Sequence, residues 1–153
     1  MSETFRVLIT GSRDWADENL IAGALLHEVS RRPSSQPIVV VHGAARGADM
    51  LAARVALHYG WQPEPHPADW TRHGRAAGFR RNAEMVALGA GVCLMFAMPC
   101  TDHRCYRTDP HASHGTAHCA GLARDAGIPV YPFGPDGAGD TLLSAAAPLF
   151  GTP

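Results

Sequence analysis

Ile38-Val39-Val40-Val41-His42-Gly43-Ala44-Ala45-Arg46-Gly47-Ala48-Asp49 passes from an unbroken apolar run, through a turn flanked by two glycines, into helical spacing. A run without polar alternation suits a strand covered on both faces. After it, Leu51, Ala52, Val55 and Tyr59 continue one helical stripe, and Gly60 closes the helix. A buried strand feeding a helix through a short glycine turn is the repeating half of a parallel α/β sheet. Upstream, residues 6–10 (RVLIT) run into Gly11-Ser12-Arg13 in the same way. Asp17 then stands where it can cap a helix carrying Leu20, Ile21, Ala24, Leu25 and Val29 as far as Pro33.

Downstream the alternation persists. Residues 62–66 lie among three prolines and read as an edge strand. Residues 77–88 follow as a helix, with Phe79, Ala83 and Val86 inward. Residues 92–97 (VCLMFA) form a fourth strand, residues 116–126 a helix closed by Gly127, and residues 128–131 a fifth strand. The expected fold is α/β: a Rossmann-like three-layer sandwich, its mainly parallel sheet of about five strands covered by helices on both faces. We read residues 1–133 as this domain, with a Cys/His-rich insertion near 98–114. Residues 134–153 form a Gly/Ala/Pro-rich tail in which residues 140–146 add a helical turn or two.

The 153 residues carry a formal net charge of -1 and are 46% hydrophobic, which excludes a disordered chain. Binding nucleic acid through bulk charge is disfavoured for the same reason. No run of 18 apolar residues offers a membrane span. The N-terminus shows no basic region followed by an apolar stretch, so a cytoplasmic location is expected, where thiols stay free or bind metal.

In such sheets ligands bind beyond the carboxyl ends of the strands, where the unusual residues gather. Gly11, Ser12 and Arg13 follow the first strand. Gly43, Ala44, Gly47 and Asp49 surround the second turn, and Gly115 and Thr116 open the last helix. Exposed amides at a helix N-terminus cradle anions, and glycine permits close approach. Neither the P-loop nor the dinucleotide fingerprint is present. Three such turns on one sheet edge point to a phosphate-bearing small molecule.

Within the basic cluster of residues 72–81, Arg81 with Asn82 is the expected anion-binding pair, while Arg72 and Arg75 read as a solvated face. Asp69 and Trp70 suit a ribose hydroxyl and a stacked base, with Trp70 as ordinary core the alternative.

Seven of the chain's nine His and four Cys fall between residues 100 and 119. Cys100, Cys105, His111 and His114 make a tetrahedral zinc set that would close this long connector. Two rivals stand beside structural zinc: a metal-free lid with histidines on the ligand, and a catalytic zinc using His118 or Cys119. Cys93 reads as core.

Gly11-Ser12-Arg13, residues 42–49 (HGAARGAD), residues 81–85 (RNAEM) and Gly115-Thr116 together resemble the SLOG superfamily. These are Rossmann-like nucleotide-binding domains related to the Lonely-guy phosphoribohydrolases. Asp69-Trp70 and residues 72–78 resemble its uncharacterised bacterial and phage branch. The resemblance spans about residues 5–132. It implies a nucleotide-type ligand and a homodimer. Its enzymes hydrolyse the N-glycosidic bond of a nucleoside 5′-monophosphate. Their functional arginine falls on Arg81, and their Gly-Thr pair on Gly115-Thr116. Their catalytic glutamate, however, falls on Cys119, and a thiol serves poorly in a carboxylate's place. A nucleotide-binding sensor is therefore the expected function, with the phosphoribohydrolase as the alternative.

Overall fold

A computed structural model describes residues 3–138. The strands are β1 (Phe5–Gly11), β2 (Ile38–His42), β3 (Gln62–Pro65), β4 (Val92–Phe96), β5 (Val130–Gly134) and β6 (Gly137–Ala138), in spatial order β3-β2-β1-β4-β5-β6. The first five run parallel; the two-residue β6 turns back against β5. Helices α1 (Glu18–Ser30) and α2 (Ala48–Tyr59) cover one face, α4 (Ala77–Ala87) and α5 (His114–Asp125) the other. A short α3 (Trp70–His73) and a 3-10 turn (Gly74–Ala76) precede α4. The fold is the three-layer Rossmann-like sandwich.

Its cause is visible strand by strand. Alternate residues of β1 enter opposite cores: Val7 and Ile9 pack toward α1 and α2, Leu8 toward α4 and α5. Every residue of β4 is buried, so neither face tolerates a polar side chain. Asp17 caps α1, its side chain accepting from the Leu20 amide at 3.0 Å. Gly60 ends α2 at φ 77°, and proline-rich β3 lies at the sheet edge.

Three local expectations shift. In α4, Phe79 is 48% exposed and Ala83 is exposed, while Ala77, Asn82, Met85 and Val86 face inward. Helix α5 starts two residues earlier, at His114, with Ser113 as its N-cap. The fifth strand begins at Val130, after Ile128 has packed into the core on the α4–α5 face. The helical turn expected at residues 140–146 lies outside the described residues.

The chain runs outward from β1 to β3, then crosses back to β4 on the other side of β1. That reversal opens a crevice between the carboxyl ends of β1 and β4, the switch point of a doubly wound sheet.

Candidate functional site

A cavity of about 530 Å³ occupies the switch point. Gly11, Ser12 and Arg13 bound it below β1, Arg46 and Asp49 below β2, and Ser113 to Thr116 at the start of α5; α4 contributes Arg81 and Asn82. Trp70, the metal-set residues Cys100 and His114, and the unexpected Arg75 and Phe79 also line it. Gly43, Ala44, Gly47, Asp69, Cys105 and His111 lie off its lining.

The first two glycine turns are stitched to each other. The Ser12 amide donates to the Phe96 carbonyl at 2.9 Å, and the Ser12 carbonyl accepts from the Ala48 amide at 3.1 Å. Gly47 has φ 78°, and a Cβ there would lie 2.5 Å from the Ser12 carbonyl oxygen, so only glycine permits this crossing.

The ring of amides after β2 is filled from within. Asp49 Oδ2 accepts from Gly43 N at 3.0 Å and Ala45 N at 3.2 Å, and His42 Nδ1 accepts from Ala44 N at 3.1 Å. The amides of Gly43, Ala44 and Ala45, expected to face a phosphate, are thus met within the chain, two of them by its own carboxylate. Asp49 is 5% exposed, and burial raises its pKa to about 6, against the Ala45 and Gly43 amides and Arg81, which favour the charged form. Burial, first, then His66 and Arg81, hold the His42 pKa below the usual histidine value.

The third turn is arranged differently. Ser113 caps α5 without a side-chain bond to the helix backbone; its hydroxyl pairs with Thr116 Oγ1 at 2.9 Å. The amides of His114, Gly115 and Thr116 are the first three of the helix and have no intrahelical carbonyl to reach. These three residues line the cavity, at the positive end of the helix dipole.

Asn82 ties this turn to Arg81. Its Oδ1 accepts from Arg81 Nε at 2.9 Å, and its Nδ2 faces the Gly115 carbonyl at 3.4 Å and His118 Nδ1 at 3.3 Å. Arg81 Nη1 donates to the Gly43 carbonyl. Fixed at Nε and Nη1, the guanidinium leaves Nη2 beside Gly78 and the Trp70 ring.

Trp70 is 60% exposed, so it is a rim residue rather than core. Asp69 caps α3 by accepting from the Arg72 amide at 3.0 Å, and so serves the helix rather than lining the cavity. Arg72 and Arg75 are both exposed, as a solvated face implies, and Arg75 also lines the cavity. Phe79 stacks on His118 at 4.1 Å between ring centroids.

Cys119 is fully buried; burial, with Asp49 nearby, pushes its thiol up to about 11, a neutral group at any ordinary pH.

Beside the cavity, one ligand atom from each of Cys100, Cys105, His111 and His114 lies within 4.8 Å of the other three. Cys100 Sγ is 3.6 Å from His114 Nε2, and Cys105 Sγ is 3.4 Å from His111 Nε2. Zinc bonds of about 2.3 Å to sulfur and about 2.05 Å to nitrogen, set tetrahedrally, separate such atoms by about 3.6 Å. His111 Nδ1 lies 2.7 Å from the Asp109 carbonyl, an orientation that turns Nε2 toward the cluster. The four residues are positioned to bind a metal ion, and the set is compatible with zinc.

Residues 5–73 match the model of a family described as YAcAr: YspA, cpYpsA-related SLOG family. The chain is also similar to "Gene 61 protein" of Mycobacterium phage D29: 46% identical over 134 residues, covering 84% of this chain and 96% of the phage protein. The chain belongs to the SLOG superfamily. Within it, the family model covers the first two turns, and α4 and α5 lie beyond the matched residues. Among the described residues no helix of this SLOG domain is long and apolar enough to cross a membrane.

Proposed function

We propose that this chain is a SLOG-type binding domain that senses a nucleotide or nucleotide derivative in the switch-point cavity. The observation that carries the reading is the convergence of the α5 N-terminus with Arg13, Arg46, Arg75 and Arg81 around one crevice. None of these arginines forms an ion pair among the described residues. Arginine forks and free helix amides are complementary to phosphate. The phosphate sits at Gly115-Thr116, and Arg81 and Asn82 brace it. Gly11, Ser12 and Arg13 floor the site, and the base stacks on Trp70. Gly43, Ala44, Gly47 and Asp49 support it as a rigid turn.

Hydrolysis of a nucleoside 5′-monophosphate is the second reading. Asp49 favours it as a carboxylate on the cavity wall with a pKa near working pH. The neutral Cys119 weighs against it. In either reading zinc occupies the Cys/His centre as a structural ion, and the protein works in the cytoplasm as a homodimer, without nucleic acid.

The test is a panel of nucleoside 5′-monophosphates and NAD derivatives, followed by thermal shift and free base together. Stabilisation without base release supports the sensor. Release that disappears in Arg81→Ala supports the hydrolase. No shift with any of them overturns both.

A further inference from the structure

Resting on the pocket reading above, we propose that the Cys/His centre and the pocket are one coupled unit: zinc on Cys100, Cys105, His111 and His114 builds a wall of the pocket, so zinc and a phosphorylated ligand each tighten the other's binding.

Two residues belong to both sites. Cys100 and His114 line the cavity and supply two of the four metal-ligand atoms. His114 is also the first residue of α5, so an ion on its Nε2 fixes the turn whose amides face the ligand. Thr101, Asp102, His103 and Arg104 line the cavity too, and they are enclosed in sequence between Cys100 and Cys105.

Little else holds that stretch. The connector is tied at its base by the Pro99–Ala112 bridge, by Cys100 N to the His111 carbonyl at 2.9 Å and by Ser113 N to the Met98 carbonyl at 3.2 Å. Beyond the base, every side chain from residue 101 to 110 is exposed or half-buried, so apolar packing does not fix it. Fixing each residue's backbone costs about 1–2 kcal/mol, and a segment with so little buried surface opens easily. Two metal–thiolate and two metal–imidazole bonds supply the missing restraint. Without the ion, the pocket loses the set position of Arg104 and of the α5 amides.

Coupling of this kind is reciprocal. Whatever factor zinc adds to nucleotide affinity, nucleotide must add to zinc affinity. The experiment measures both sides on the full chain, with AMP, GMP, CMP and UMP as probes. Titration calorimetry compares zinc-loaded with chelator-stripped protein, and competition with a chromophoric chelator gives zinc affinity with and without saturating nucleotide. We expect the tightest probe to weaken at least about tenfold on stripping, and zinc to tighten by the same factor when that probe is present.

Cys105→Ser should reproduce the loss, although Cys105 makes no part of the cavity lining. If that variant fails to fold by circular dichroism, the stripped wild-type chain carries the comparison. Arg104→Ala should weaken nucleotide while leaving zinc affinity of the free protein unchanged. Equal nucleotide affinity with and without zinc, zinc affinity indifferent to nucleotide, or no stoichiometric zinc overturns the coupling and leaves the pocket reading standing. Failure of all four probes in both metal states, with no thermal shift from the NAD derivatives either, overturns the pocket reading, and the coupling falls with it.

Discussion

Replacing Asp49 by asparagine isolates the buried carboxylate at the heart of the second turn. In the folded chain its pKa stands at about 6, against an ordinary value of 3.8. At about 1.4 kcal/mol per tenfold change in proton affinity, that difference is worth about 3 kcal/mol. The sign follows from linkage. A raised folded pKa contributes stability that is fully present below pH 3.8 and lost as the pH climbs through 6. Wild-type protein should therefore shed about 2 kcal/mol from this group between pH 4 and pH 7.5, and Asp49→Asn should not.

His42 runs the opposite way, since a depressed histidine pKa destabilises the fold on acidification, but it is common to both proteins. Urea unfolding of wild type and variant at pH 4 and pH 7.5 gives four free energies, whose double difference removes the shared terms. A value of about 2–4 kcal/mol, with the variant gaining relative stability at the higher pH, bears out the burial argument. Parallel pH profiles would refute it and mean that the Asp49 carboxylate is solvated.

Gly11→Ala should destabilise the fold by about 1–3 kcal/mol in urea, because a Cβ there runs into Ala48 Cβ and lies 2.9 Å from the Phe96 carbonyl oxygen, both in rigid elements. Gly43→Ala should weaken nucleotide about tenfold by calorimetry, since its Cβ would lie 2.5 Å from Arg81 Cζ and push the guanidinium off its Gly43 and Asn82 partners. In Glu64→Gln the loss is acid-dependent. Arg6, first, and His66 hold Glu64 at about 2, so its contribution is present above pH 4.5 and disappears as the pH falls toward 2. With the side chain a third exposed, the difference from wild type at pH 7 should be about 1 kcal/mol by urea unfolding.

The sheet was legible because β2 and β4 are apolar almost throughout, β1 is buried along most of its length, and glycine or proline punctuates nearly every connection. The inward face of α4 was not. Phe79 is its one aromatic residue, yet it leaves the core to stack on His118 at the cavity rim, while polar Asn82 is buried to bridge Arg81 and α5. Hydrophobic periodicity cannot register a polar residue buried by its hydrogen bonds.

The glycine turns were recognisable as amide-rich, but their sequence does not say which anion the amides hold. Asp49 sits in the first turn of α2, close enough to fill the ring itself. Asp69 misled for a similar reason, as one residue type serves both helix caps and ribose hydroxyls. Arg75 gave no signal beyond its charge; it lines the cavity from the 3-10 turn that follows α3. The Cys/His cluster was conspicuous by density alone, and the fold brings together the four residues that the spacing singled out.

The most direct measurement is an amide nitrogen–proton correlation spectrum of zinc-loaded, isotope-labelled protein, recorded while a nucleoside 5′-monophosphate is titrated in. The largest shifts should fall on the amides of His114, Gly115 and Thr116 and on Arg81 Nε, with Gly43 and Ala45 nearly still because Asp49 already holds them. Shifts centred on Gly43 and Ala45, or none at the α5 turn under saturating ligand, would contradict the assignment of the phosphate to that turn.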